Sequence, residues 1–447
     1  MQKKLLTMAV ASALAAPGIA LAQSSVEVYG TINMSFGKVK YSEGTEITTG
    51  LPTRESVQKW DVANHASNYG LRGRESLGGG LTAWFQIEQN APLERSNNVA
   101  ITPASRNSAV GIQGGFGNVF VGQWTTPWAD LDSLWSIGTV GGWGPVTSII
   151  GRRETTGTAP NLTCANTGHG VAGACDAVEA GGGAGHPFWR RVSNAVFYQS
   201  PVMGGAQFKL AYQTNEGKNT VASTGGAVTV GAAGIGTGTA DPSLWSASVQ
   251  WAGMGGRARV GLAYDRHKDF TTAGNTDTGW AIKGGYNFGV VDVGLAFESL
   301  KYKCDSTAPQ QQTSGYNGIT TGCANAGSNT LLGIGAIDGD IKIRNWAIAV
   351  AVPVGQGAIR GSYAQQKDIK VGGEEFDETG SKVWNIGYEH RFSKRTSVGV
   401  GYATIKNEDG AAMNWTGLPP NQGPTAANGP HLGSDVSTWF VNITHRF

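Results

Sequence analysis

Apolar and polar residues alternate with period two along much of this chain, in segments of about ten residues. In 381–392, Trp384, Ile386, Tyr388, His390 and Phe392 fall on one side, and Asn385, Gly387, Glu389 and Arg391 on the other. Phe208, Leu210 and Tyr212 likewise oppose Lys209 and Gln213, and Val260, Leu262 and Tyr264 oppose Arg259 and Asp265. A strand turns successive side chains to opposite faces, so each segment predicts a β-strand with one apolar and one wet face. The pattern predicts strands over 26–36, 65–77, 80–91, 105–114, 117–124, 190–200, 205–214, 243–253, 256–267, 277–288, 290–301, 340–352, 356–367, 381–392, 395–405 and 435–447.

Short Gly-rich turns such as Leu77–Gly80 and Gly114–Gly117 join some neighbours, and polar stretches at roughly 37–63, 125–189, 215–242, 302–339 and 406–434 join others. Short turns at one end and long loops at the other mark a transmembrane barrel, and sixteen is an even number that leaves both termini at the short-turn end. The expected fold is therefore all-β: a 16-stranded antiparallel transmembrane barrel. A soluble sandwich would also alternate, but it does not explain why Trp and Tyr gather near segment ends, where aromatic girdles meet a membrane interface. Two segments fit poorly. Arg106 shares a face with Val110 and Ile112, and Arg344 with Trp346 and Ile348. A bulge, a loop packed on the wall or a subunit contact would each account for them.

Composition agrees with a barrel. Gly, at 68 of 447 residues, is about twice the ordinary share, and charged residues, at 15%, fall well below it. A disordered Gly-rich chain would lack the 9% of aromatic residues placed in alternating segments. At the N-terminus, Lys3 and Lys4 precede the apolar Leu5–Ala16, and Pro17 and Gly18 break that run before Ala20-Leu21-Ala22. This predicts a cleaved export signal over 1–22 and a barrel over 23–447. The run is too short and too rich in small residues for a membrane anchor. No later segment is long and apolar enough for a transmembrane helix, so a membrane role must use strands. Removing Lys3 and Lys4 takes Lys+Arg from 34 to 32 against 32 Asp+Glu. Bulk charge then argues for no nucleic-acid partner, and any ion preference must come from local placement.

The cysteines form two local pairs, Cys164 with Cys175 and Cys304 with Cys323, each suited to a disulfide closing one loop of an exported chain. Zinc at Cys164, His169 and Cys175 is the alternative, although the spacing matches no compact zinc motif. No metal or other cofactor is expected.

The stretch Tyr69–Glu88 resembles the second strand, first short turn and third strand of general porins from β-proteobacteria. Arg106–Ile112, Asn118–Gln123 and Arg191–Pro201 are similar to further stretches of that family, and Trp439–Phe447 to its last strand with its terminal Phe. The resemblance runs from signal to terminus. It implies a homotrimer in the lipid and lipopolysaccharide of a Gram-negative outer membrane, passing small hydrophilic solutes and ions down their gradients. It also implies that the third long loop, about 125–189, folds into the lumen.

By resemblance, Arg106 and Arg191 match the family's arginine cluster and Arg72 a neighbouring basic position. Inward parity is expected for them, with Arg74 one step nearer the short turn. Asn68 stands where related porins commonly carry arginine. Glu88 and the loop residues Asp130 and Asp132 are the acidic candidates, although the family's Pro-Glu-Phe-Gly-Gly motif is absent. Opposite charges across a narrow wet gap would order water and sort solutes. Ordinary solvated charges remain the alternative for each.

Trp124, Trp128, Trp135 and Trp143 suit either a track for sugars or, more simply, an anchor for the third loop. The acidic run Glu374–Glu378 suits an exposed loop better than a divalent-cation site. An enzyme would need a paired His in a fixed site, and none stands out, since His267, His390 and His445 lie near strand ends and suit the interface. Long loops would also serve an adhesin or receptor. The expected function is passive, mildly anion-selective diffusion, with a substrate-specific channel as the alternative.

Overall fold

A computed structural model describes residues 25–45, 52–54, 56–94, 103–150, 188–214, 228–229, 234–235, 243–268, 276–303, 340–375, 377–411, 413–415 and 433–447. The expected export signal and all four cysteines lie outside the described residues. The chain forms a closed antiparallel barrel of sixteen strands. They are β1 (Ser25–Tyr41), β2 (Val57–Asn64 continued by Asn68–Gly78), β3 (Leu81–Asn90), β4 (Ser108–Gly114), β5 (Gly117–Thr125), β6 (Arg191–Gln199), β7 (Ala206–Gln213) and β8 (Ser243–Gly253). The circuit continues through β9 (Ala258–Lys268), β10 (Thr276–Asn287), β11 (Asp292–Tyr302), β12 (Ile341–Val354), β13 (Gly357–Gln366), β14 (Ser381–Arg391), β15 (Thr396–Asn407) and β16 (Val436–Arg446). Among the described residues no helix is long and apolar enough to cross a membrane, and the crossing is made by strands.

The two faces separate as the alternation predicts. Leu262, Tyr264, Ile386, Trp439, Val441 and Ile443 are exposed, while their neighbours Ala263, Asp265, Asn385, Phe440 and Asn442 are buried. Exposed apolar side chains on a closed barrel meet lipid. Near the long-loop ends the outer wall carries paired rings, Tyr212–Trp245, Trp280–Phe297, Trp346–Tyr363 and Trp384–Tyr402, with centroids 4.4 to 5.3 Å apart. Such a row of aromatics marks the membrane interface.

The seam joins β16 to β1, from Thr31↔Arg446 to Tyr41↔Val436. Gly30 N donates to Phe447 O at 3.2 Å and Phe447 N to Gly30 O at 3.1 Å. The Phe447 ring lies over Gly30, where a Cβ would come within 2.5 Å of Cζ. Only glycine admits that ring.

The first hairpin is longer than the alternation predicts. Residues 37–41 and 57–63, assigned above to a loop, continue β1 and β2 with Met34↔Asn64 through Tyr41↔Val57 in register. Lys38 and Lys59 read as loop residues in sequence, yet the Lys38 ammonium lies over the Trp60 ring and that of Lys59 over Tyr41, 5.8 and 5.3 Å from the centroids. β2 is interrupted at 65–67. There Ala66 takes φ +53°, His65 N donates to Asn33 O, and Asn33 N donates to Ser67 Oγ, so an unladdered step costs no backbone hydrogen bond. His267 also departs from expectation. It is fully buried on the polar face, stacked on Phe188 at 4.5 Å, because its parity matches Asp265 and not Tyr264.

Candidate functional site

The polar face of β1 to β4 carries a column of charged and aromatic side chains. Arg72 is paired with Glu27 at 2.8 Å near the short-turn end, and its guanidinium lies 4.8 Å from the Tyr29 ring centroid. Tyr29 donates its hydroxyl proton to Glu88 at 2.9 Å, and Arg106 Nε donates to the other oxygen of Glu88 at 2.6 Å. Arg106 Nη1 also reaches Asn90 Oδ1 at 3.2 Å. Arg74 lies beyond Arg72, exposed, with no ion pair among the described residues.

The inward turn of Arg106 has a local cause. In β4, Val110 and Ile112 are exposed on the lipid face, and strict alternation would put Arg106 beside them. The ladder stops at Ser108. Its hydroxyl accepts from Glu88 N at 3.0 Å and donates to Glu88 O at 3.2 Å, while the Ser105 hydroxyl accepts from Asn90 N. Side-chain oxygens replace ladder groups, the chain leaves the pleat, and Arg106 turns to the polar face.

Arg191, at the start of β6, is buried and donates from Nε to Asn107 Oδ1 at 2.6 Å. The same Asn107 oxygen accepts from Thr125 N, and the Thr125 hydroxyl donates to Asp130 Oδ1 at 3.0 Å. The other Asp130 oxygen is paired with Lys209 of β7 at 2.9 Å. One polar chain thus links Arg191 to the start of the third long loop.

That loop opens with a short helix, α1 (Pro127–Asp130), capped by the Thr126 hydroxyl, and a 3-10 turn at Leu131–Leu134. Its next residues bond to the polar face of successive strands. Lys283 of β10 is paired with Asp132 at 2.7 Å, Arg259 of β9 donates to Leu134 O at 2.6 Å, and Arg360 of β13 donates to Ile137 O at 2.5 Å. Asn385 of β14 donates to Gly138 O, and Asn345 of β12 donates to Ile149 O. Gly141 packs on Asn442 of β16 and Gly142 on His65 of β2. Trp128, Trp135 and Trp143 are buried, and Trp124 is half-buried against Trp84 and Phe120. None of the three buried rings offers the open face a sugar track needs, and all serve as anchors.

The structure therefore pairs Arg106 with Glu88, joins Arg191 to Asp130 through a separate chain by way of Asn107 and Thr125, sets Arg72 and Arg74 nearer the short-turn end, and places Asp132 apart with Lys283. Sequence reading missed the wall lysines Lys209 and Lys283 as loop partners. The polar parity of Lys209 was legible, but its partner lies 79 positions away. Among the described residues no group of three or more His, Cys, Asp or Glu side chains could hold a metal, and Glu375 of the acidic run is engaged by Lys370 at 2.5 Å.

A family model described as Gram-negative porin matches residues 9–410. The chain belongs to this family. The porin is 27% identical over 450 residues to outer membrane porin protein 32 of Delftia acidovorans, with 100% of both chains covered. To an outer membrane porin of Bordetella pertussis it is 24% identical, covering 89% of this chain and 92% of the relative. Its fold matches the solved anion-selective porin from Comamonas acidovorans with a TM-score of 0.62 at 21% identity, over 95% of this chain and 100% of the other. This porin is a passive diffusion channel of the Gram-negative outer membrane. Its long loops accordingly face outward and its short turns the periplasm.

Proposed function

We propose that the third loop, over its described residues 126–150, lies inside the lumen and narrows it, and that the channel is mildly anion-selective. The observation that carries the first part is the series of bonds from loop carbonyls to side chains of the polar face on β9, β12, β13 and β14. Asp130 and Asp132 then act as staples to Lys209 and Lys283, and not as free charges facing the arginines across a gap. The charge pattern supports the second part. Glu27, Glu88, Asp130 and Asp132 each stand against a cation, while Arg74 adds a charge with no carboxylate partner among the described residues. A wet passage between such walls favours anions weakly. The related Comamonas structure is described as anion-selective, in the same sense.

The reading extends to a homotrimer, as in the related Vibrio cholerae OmpT structure described in its trimer form, and to a channel without catalytic activity. Planar-bilayer recording tests it. Stepwise ohmic conductance with a reversal potential of anionic sign in a salt gradient is expected. A cationic sign would reject the selectivity, and conductance unaltered by deleting 131–150 would reject the narrowing.

A further inference from the structure

The polar face departs from its own pattern at one level of β3 to β7. Register sets Trp84, Gly111, Phe120, Phe197 and Ala211 in a single row across these strands, each paired with the next. The residues flanking them along the strands, Phe85, Val110, Ile112, Val119, Val121 and Val196, are exposed on the lipid side, so the row faces inward. Three of its five residues are aromatic, where a wet wall calls for polar groups.

Trp124 joins the row from the long-loop side. The ladder of β5 on β6 slips between Gly122 and Trp124, and the Trp124 ring meets Phe120 at 5.3 Å and Trp84 at 5.8 Å. Gly111 gives these rings room, since a Cβ there would stand 2.5 Å from Phe120 Cβ and 2.8 Å from Trp84 Nε1. Underneath, Phe120 and Phe197 stack at 4.7 Å, and both are buried. Trp84 and Trp124 are only half-buried, and their planes stand at 74° to each other. On the inner face of a closed barrel, the exposed part of a ring meets the water of the lumen. The two indoles therefore form an open aromatic corner on the channel wall, unlike the anchors Trp128, Trp135 and Trp143.

The polar groups around this corner select what it can take. The nearby carboxylates are engaged: Glu88 accepts from Tyr29 and Arg106, and Asp130 from Thr125 and Lys209. So are amides toward the short turns, where Asn118 Oδ1 accepts from Trp84 Nε1 at 2.8 Å and Gln207 Oε1 from Gln250. A sugar, rich in hydroxyl donors, finds few open acceptors here. Arg106 offers the opposite. Its Nε and Nη1 are used on Glu88 and Asn90, but Nη2 has no partner among the described residues and the side chain is 20% exposed. It lies at the level of Trp124, because Asn107, the next residue after Arg106, accepts from the backbone N of Thr125, the next after Trp124.

We propose that the corner of Trp84 and Trp124 is a binding subsite for aromatic carboxylates of benzoate size, with the ring on the indoles and the carboxylate on Arg106 Nη2. Aromatic rings favour offset or edge-to-face contact, and two indoles near a right angle offer both to one solute. The guanidinium adds a charge-assisted hydrogen bond. The subsite rests on the reading that the third loop leaves a wet passage along this wall, and not on the sign of the bulk ion selectivity.

The test is planar-bilayer recording of the full-length porin in potassium chloride, with benzoate, cyclohexanecarboxylate or acetate added and the half-blocking concentration read for each. Benzoate should block at an about tenfold lower concentration than either of the others. Trp124→Leu keeps apolar bulk without the ring and should bring benzoate to the level of cyclohexanecarboxylate, while Trp124→Phe should keep most of the preference. Arg106→Gln should raise all three values about tenfold and leave their ratio as it was. Each ratio is read within one channel, so a variant that merely reshapes the pore moves the three values together. Equal block by benzoate and cyclohexanecarboxylate in wild type overturns the proposal and needs no variant to do so. A preference retained in Trp124→Leu overturns it as well, as does an unshifted benzoate value in Arg106→Gln. The reversal potential in chloride alone reports the bulk selectivity separately: a cationic sign with the benzoate preference intact rejects that selectivity and upholds the subsite.

Discussion

Lys283 Nζ stands 2.7 Å from Asp132 Oδ1 and 4.0 Å from Glu298 Oε2, with the lysine and Glu298 wholly out of solvent. The ammonium therefore ties a loop carboxylate to the wall of β10 and β11. Removing it leaves the largely buried Asp132 carboxylate without this ammonium. Lys283→Met should lower stability by about 3–5 kcal/mol, read from denaturant unfolding in detergent, and should raise conductance noise as the loop loosens. Adding Asp132→Leu should recover part of the loss, because the loop carboxylate is then gone as well.

Arg106 and Glu88 form one ion pair on the polar wall, and each half can be removed separately. Arg106→Ala leaves Glu88 with Tyr29 alone and should move the reversal potential toward cations. Glu88→Gln should move it toward anions. Shifts of the same sign in both variants would show that the pair lies away from the ion path.

Gly294 on β11 faces the loop so closely that a Cβ would strike the Trp135 carbonyl, and Gly138 of the loop meets the Gly361 carbonyl in the same way. Gly294→Ala should displace 134–137 from the wall. The expected result is faster hydrogen exchange at Trp135 and Ser136 with the barrel strands unchanged.

Beyond the membrane, the Lys370 ammonium holds the Glu375 carboxyl below the usual carboxylate range, mainly through their hydrogen bond. A depressed acid adds stability that is complete above its ordinary pKa, about 4.3, and is lost as pH falls through the lower folded value. Pairing of Lys370–Val371 with Glu374–Glu375 should therefore survive mild acid and fray only below that range. Glu375 is exposed and Lys370 half-buried, so solvent screens the pair and the effect is local. Lys370→Gln should return the Glu375 titration, followed by NMR, to ordinary values.

How far the sequence could be read depended on the range of the interactions involved. The faces of Trp384 and Asn385, or of Val441 and Asn442, follow from period-two alternation within one strand, and so does the barrel itself. Arg106 defied that rule because two serine hydroxyls, three residues apart, take over ladder bonds that no hydropathy pattern records. Residues 57–63 were hidden for a related reason, since Lys59 and Asp61 look like loop residues until Tyr41 and the facing strand are present. Asp132 with Lys283 spans 151 positions, and only the closed wall brings them together.

Gly30→Leu fills the space over which the Phe447 ring lies and should evict it. The fraction of chains refolding in detergent should fall, read as the folded band in unheated electrophoresis. Phe447→Ala should lower it less, because the two backbone bonds to Gly30 remain available.

The pairing of Phe447 with Gly30 also makes the seam a long-range closure. The two residues lie 417 positions apart (447 less 30), so the bonds that shut the ring join the first and last described strands. Until they form, β1 and β16 each present an open edge, and closure removes both edges at once.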